Sequence, residues 1–126
     1  MSLTSTRAGF NYAALPLANY RAGEDVLVSG STTGRLLFLK QGAVAVTRQG
    51  TEIAIVNEPG AVFGEVSALL NQPHTADVCA IQPSQFYVAN AGLLDDNAAA
   101  LFHVAVVLAR RLDRANEALV ASLRER

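Results

Sequence analysis

Sulfur is nearly absent from this chain, and its scarcity removes several chemistries at once. The lone cysteine, Cys79, cannot close an intramolecular disulfide or ligate a metal cluster by itself. Set between Val78 and Ala80 in an apolar run, it reads as a buried, inert thiol rather than a redox sensor. The only histidines are His74 and His103, with no HxH or CxxC spacing, which argues against a metal site. No Ser/His/Asp or Cys/His arrangement stands out for nucleophilic catalysis. The acidic pair Asp95-Asp96 precedes a helical segment, where it reads as an N-terminal cap and favourable dipole charge. The expectation is a protein that is not an enzyme.

Charge is also sparse: 17% of residues are charged and the net charge is −1, so no general attraction to nucleic acid or an anionic membrane is expected. Long apolar runs are missing too. The longest in a helical segment, Leu101 to Ala109 interrupted by His103, is less than half of the roughly 20 residues a bilayer span needs. Residues 1–20 hold no basic segment followed by an apolar block, so no secretory signal is read there. A soluble, cytoplasmic protein is expected. What the chain does have is core material, 51% apolar residues in 126, the size of one domain spanning 1–126.

From Asn19 to Asn90 short apolar runs alternate with turn residues. The runs are Asp25–Val28, Arg35–Lys40, Ala43–Arg48, Thr51–Asn57, Ala76–Ile81 and Gln85–Ala89, the spacing of an all-β sandwich or barrel. Gln49-Gly50 lies between two alternating runs and predicts a tight hairpin with glycine at positive φ. After Asn90 the character changes. Residues 97–126 contain no proline or glycine and are rich in Ala, Leu and Arg, which predicts helix. Leu101 to Ala109 is apolar on nearly every face and is expected to be buried. Leu101, Ala105, Leu108, Leu112, Ala115 and Leu119 are spaced four and three alternately, the seam of a paired helix. The plainer alternative is a helix packed only on its own domain.

The most specific segment is VFGEVSALLNQPHTADVCA, residues 62–80. Gly64-Glu65 form a tight turn, Val66 to Leu70 one short helix, and Ala76 to Ala80 a strand. A glycine-permitted turn that aims backbone N–H groups from the start of a short helix makes an anion cradle, and a glutamate within it can accept from a sugar hydroxyl. This arrangement resembles the phosphate-binding cassette of the cyclic-nucleotide-binding domain, which runs F-G-E, a few apolar residues, a loop, then R-[ST]-A. Other landmarks fall in order. YRAGEDVLVSG (20–30), Gly34 to Leu39, Gln41-Gly42 and Pro59-Gly60 match the family's opening, and Leu108 to Leu112 resembles the start of its long dimer helix.

Asn19 to Leu123 thus resembles the sensory domain of the catabolite activator/Fnr superfamily. The resemblance implies a mainly β fold with flanking α: a double-stranded β-helix, or jelly-roll-like β-roll, over about 19–90, with C-terminal helices over about 91–126. It implies a homodimer through the last helix. It also implies that Glu65 accepts the ribose 2′-OH, that amides around Gly64, Glu65, Val66 and Ser67 meet the cyclic phosphate, and that Thr75 adds a hydroxyl. Two readings stand beside these: Glu65 as a turn carboxylate bonding its own loop, and Thr75 as an ordinary strand residue.

The departure from the pattern is His74, which occupies the arginine position. An arginine offers phosphate an always-charged planar fork, whereas histidine is mostly neutral at pH 7 with one donor per nitrogen. Between Arg48 and Arg110 there is no Lys or Arg, while Glu52, Glu58, Glu65, Asp77, Asp95 and Asp96 all occur. Rescue would have to come from Lys40, Arg48 or a partner's helix. At the base-capping end the small hydroxyl residues of activator-type members are replaced by Ala115 and Asn116; Asn116 either bonds a purine edge or is solvated.

The expected function is therefore a regulatory, ligand-sensing module with weak or lost affinity for cyclic nucleotides, cyclic AMP or cyclic GMP being weak ligands at most. The alternatives are a ligand-free dimerisation or docking module for a protein partner, and the sensory half of a transcription regulator lacking its DNA-binding domain. From Arg110 onward five Arg face Asp113, Glu117 and Glu125, too slight a basic excess for this chain to bind DNA alone. Met1-Ser2-Leu3 reads as a vector remnant.

Overall fold

The computed structural model describes residues 10–125, so Met1-Ser2-Leu3 and residues 1–9 of the segment read for a signal lie outside the described residues. After a 3₁₀ turn at Tyr12–Ala14 the strands are β1 (Leu17–Tyr20), β2 (Asp25–Leu27), β3 (Arg35–Gln41), β4 (Val44–Arg48), β5 (Thr51–Val56), β6 (Val62–Phe63), β7 (Asp77–Ala80) and β8 (Ser84–Asn90). The helices are α1 (Glu65–Leu70), α2 (Leu93–Asp96) and α3 (Ala98–Arg124). The strands form two four-stranded sheets, ordered β1-β8-β3-β6 and β2-β7-β4-β5, with every pairing antiparallel. With the long helix at its end, this is the jelly-roll-like β-roll that the resemblance implies.

β3 is the hinge of the packing. Its Leu37 and Leu39 enter a core between the two sheets with Val44, Phe63, Val78 and Phe86, while Leu36 and Phe38 turn to the other face. There they meet Val62, Ala89, Leu94, Ala100 and Val104, a second core under α2 and α3. A strand buried on both faces needs an unbroken apolar run, and LLFL supplies it. The hairpin between β4 and β5 closes at Arg48–Thr51. Both Gln49 (φ 52°) and Gly50 (φ 79°) are left-handed, as a two-residue type I′ turn requires.

Four features differ from the sequence expectations. β1 and β6 were not expected as strands. β1 follows Pro16 and is only four residues long, and β6 is two residues pairing with Leu37 and Phe38. Asp95 and Asp96 do not cap the long helix; Asn97 does, its Oδ1 accepting from the Ala100 N–H at 2.9 Å. The run Leu101 to Ala109 is buried on one face only: Ala100 and Val104 are fully buried, Val107 and Leu108 partly, while Leu101, Ala105 and Ala109 are exposed. Beyond Leu108 every described residue of α3 is exposed.

Candidate functional site

The turn ahead of α1 is pinned from both cores, because Val62 enters one and Phe63 the other. Gly64 follows at φ 88°, and a Cβ there would run into the backbone carbonyl of Arg35, so only glycine fits. Glu65 opens α1 and is 6% exposed. Val66 and Ser67 are half-buried on α1, which ends with Asn71 in the left-handed region. His74, 5% exposed, is tied to the segment before β3. Its N–H donates to the Ser31 carbonyl and its own carbonyl accepts from Gly30, both at 2.9 Å. Its Nε2 lies 2.9 Å from Thr33 Oγ1, and its Cε1 would stand 3.7 Å from a Cβ on Gly64. Thr75 is half-buried beside it. The structure thus sets the His74 ring beside Gly64, with Glu65, Val66 and Ser67 leading into α1.

The sequence places no cation near Glu65, yet one is present. Arg111 of α3 donates from Nη1 to Glu65 Oε1 at 3.2 Å. One turn on, Arg114 pairs with Glu58 at 3.4 Å, both side chains being largely exposed. Lys40 is occupied elsewhere, its Nζ 5.9 Å from the centre of the Tyr87 ring. Arg111 was not among the expected site residues because its partner lies 46 positions away. The readable trace is helical spacing: His103, Val107, Arg110, Arg111 and Arg114 share one face of α3. Asn116 does not share it. It is exposed and sits about 180° round the helix from Val107, away from the cassette of its own chain.

That arginine-bearing face overhangs a cleft of about 510 Å³ whose other walls are β5 and the turn 57–61. Ile53, Ile55, Val46 and Val107 provide apolar lining, and Arg110, Arg111 and Arg114 the charge. Through Arg111 the cleft abuts Glu65. At its inner end His103 packs among Phe10, Tyr12 and Phe38, with ring centroids 5.3 to 6.0 Å apart. His103 Nε2 is buried with no hydrogen-bond partner among the described residues. Burial first, and the Arg110 charge second, hold its pKa below the ordinary 6.5, so the ring is neutral at pH 7. No group of His, Cys, Asp or Glu that could hold a metal occurs among the described residues, and no helix there is long and apolar enough to cross a membrane.

Against known proteins, the family model for the cyclic nucleotide-binding domain matches residues 17–97. A cyclic nucleotide-binding domain from Methylobacillus flagellatus superposes with a TM-score of 0.72 at 21% identity, covering 84% of this chain and 66% of that one. The Thermus thermophilus catabolite activator protein gives 0.70 at 22% identity, covering 94% of this chain and 60% of the other. The regulatory subunit of a cAMP-independent protein kinase A from Trypanosoma cruzi, bound to guanosine, gives 0.62 at 19% identity over 66% of this chain. This chain spans only 60% of the Thermus protein and 30% of the Trypanosoma subunit. At these identities the structural likenesses carry the fold. The matched span takes in the Phe63-Gly64-Glu65 turn and all eight strands of the roll: the chain belongs to the cyclic nucleotide-binding domain family.

Proposed function

We propose that this chain is a regulatory, ligand-sensing module, cytoplasmic and non-enzymatic, whose affinity for cyclic AMP and cyclic GMP is weak or lost. The observation that carries the reading is His74. It stands where the family's cassette has arginine, is nearly inaccessible, and spends its Nε2 on Thr33. Replacing a charge-assisted, bidentate contact by a single imidazole nitrogen costs on the order of 2–4 kcal/mol, about 30- to 1,000-fold in affinity. Glu65 remains as an acceptor for a ribose 2′-OH, with Gly64, Val66, Ser67 and Thr75 around it, and Asn116 reaches a ligand only if a second copy brings it there. A site that keeps its sugar acceptor and lacks its phosphate cation suits a nucleoside, and the Trypanosoma relative is bound to guanosine. Titration calorimetry with cyclic AMP, cyclic GMP and guanosine tests this. Guanosine is expected to bind at least as tightly as either cyclic nucleotide. A cyclic nucleotide bound at micromolar affinity or better would sink the weak-affinity reading.

A second reading, dimerisation and docking, is favoured by the outer face of α3. Leu101, Leu112, Leu119 and Leu123 are all exposed there, on the side opposite Val107 and Arg114. A homodimer through this stripe is the proposal, and a protein partner the alternative occupant. Leu112→Glu with Leu119→Glu should give monomers that keep their β-rich circular dichroism; a wild type that sediments as a monomer at tens of micromolar removes the idea. The chain alone is not expected to shift duplex DNA except weakly and at low salt.

A further inference from the structure

The cleft between β5 and α3 holds the cations that the cassette lacks. We propose that it binds a small amphipathic anion, an acidic group on an apolar body, with Arg110 and Arg114 clamping the acid and Ile53 and Ile55 covering the body. This rests on the ligand-sensing reading but needs neither a ribose nor the cassette.

The charge comes first. Of the three guanidiniums on the cleft, Arg111 is committed to the buried Glu65. Arg110 has no carboxylate partner among the described residues. Arg114 is held by Glu58 across 3.4 Å, with both side chains mostly in solvent. Such a pair is worth about 0–1 kcal/mol and is readily exchanged for another anion. Glu58 is the one carboxylate among the described residues that line the cleft, and it opposes an incoming acid.

The apolar wall is the second observation. Ile53 and Ile55 are each 59% exposed. Both line the cleft, and β5 is the edge of its sheet, so no further strand shields it. Val46, Ala54 and Val107 line the cleft as well, and Tyr12 and His103 form its neutral aromatic end. The volume of about 510 Å³ falls within the roughly 300–1,000 Å³ of small-molecule sites. An inorganic anion would leave the isoleucines wet, and a neutral hydrocarbon would leave Arg110 without a counter-charge. Only a molecule with both parts satisfies both walls, acid outward and apolar end inward.

The test uses 8-anilinonaphthalene-1-sulfonate as the anionic probe and neutral N-phenyl-1-naphthylamine as its uncharged counterpart, each titrated by fluorescence into the whole chain. The sulfonate should bind saturably at one site per chain. Arg110→Gln with Arg114→Gln should weaken it about tenfold or more while leaving the neutral probe within about twofold, which also reports an intact cleft. Glu58→Gln should do the opposite, tightening the sulfonate severalfold by releasing Arg114, and adding Arg114→Gln should cancel that gain. Leu112→Gln with Leu119→Gln, on the far face of α3, should change nothing. Non-saturable binding, equal loss of both probes, indifference to the arginine changes, or loss in the Leu112/Leu119 variant would each overturn the proposal. The two readings separate cleanly. Silence toward guanosine and cyclic nucleotides with the sulfonate pattern intact removes the nucleoside site alone, and the converse removes the cleft alone.

Discussion

The two halves of α3 share one helix, yet they answer to different forces. Residues 98–108 are anchored by the Asn97 cap and by Ala100 and Val104, which complete the second core against Leu36, Phe38 and Val62. Residues 109–124 bury nothing of their own, and Leu112 is 63% exposed. Sixteen residues of helix with no tertiary cover are only marginally stable in water, however good their propensities. The first half is therefore helical because the roll holds it. The second half has only propensity, the Glu65–Arg111 and Glu58–Arg114 tethers on its inner face, and an apolar stripe on its outer face. A face of that kind is what a second helix would cover.

The same substitution on each side of that boundary should expose the difference. Val104→Asp places a carboxylate in a site with no water and no partner, and should cost more than about 4 kcal/mol, enough to unfold most of the protein. Leu112→Asp should leave the stability of the isolated chain within about 0.5 kcal/mol, its effect falling on association. Urea denaturation at low protein concentration measures both, and equal losses would mean that the outer half is packed within one chain.

His74→Arg moves the comparison to the cassette. If only the cation is missing there, the change should strengthen cyclic AMP or cyclic GMP binding by about 2–4 kcal/mol, read by calorimetry, and Glu65→Gln in that background should weaken it again. The incoming side chain has to leave the niche in which the imidazole meets Thr33. No gain would place the divergence in the loop itself and favour the docking reading.

The two tethers should be unequal. Arg111→Ala leaves a buried carboxylate without its partner and should cost about 1–2 kcal/mol, discounted from a fully buried pair because the arginine is half in solvent. Arg114→Ala breaks an exposed pair and should cost no more than about 0.5 kcal/mol. Matching losses in thermal or urea melts would contradict the burial of Glu65.

What was legible in the sequence follows the range of the interactions. The apolar runs of β3, β4 and β5, the Gln49-Gly50 hairpin and the Phe63-Gly64-Glu65 turn are local patterns, and all are found in the fold. β6 was hidden because a two-residue strand has no period, only a neighbour, β3, to define it. The Asn97 cap carried a signal, an Asn just before an apolar helix, that the adjacent Asp95-Asp96 pair obscured. The Arg111–Glu65 contact and the burial of His74 against Thr33 join segments more than forty residues apart, and no spacing rule connects them.

The smallest expected effect lies in the packed half of α3. Burial, then the Arg110 charge, lowers the pKa of His103, so the folded protein binds fewer protons here than the unfolded chain once the pH falls below about 6.5. Stability contributed by the neutral ring is thus fully present above that pH and is lost progressively as the pH drops toward the folded-state pKa. His103→Phe, which suits the niche among Phe10, Tyr12 and Phe38, should remove this dependence, and Arg110→Gln should reduce it by the smaller of the two causes. Urea melts between pH 7.5 and 5.5 measure it, a window chosen above the ordinary carboxylate range of about 4. A wild type and His103→Phe with parallel pH profiles would mean that the ring is as accessible to protons in the folded chain as in the unfolded one, and that the inner end of the cleft is wet.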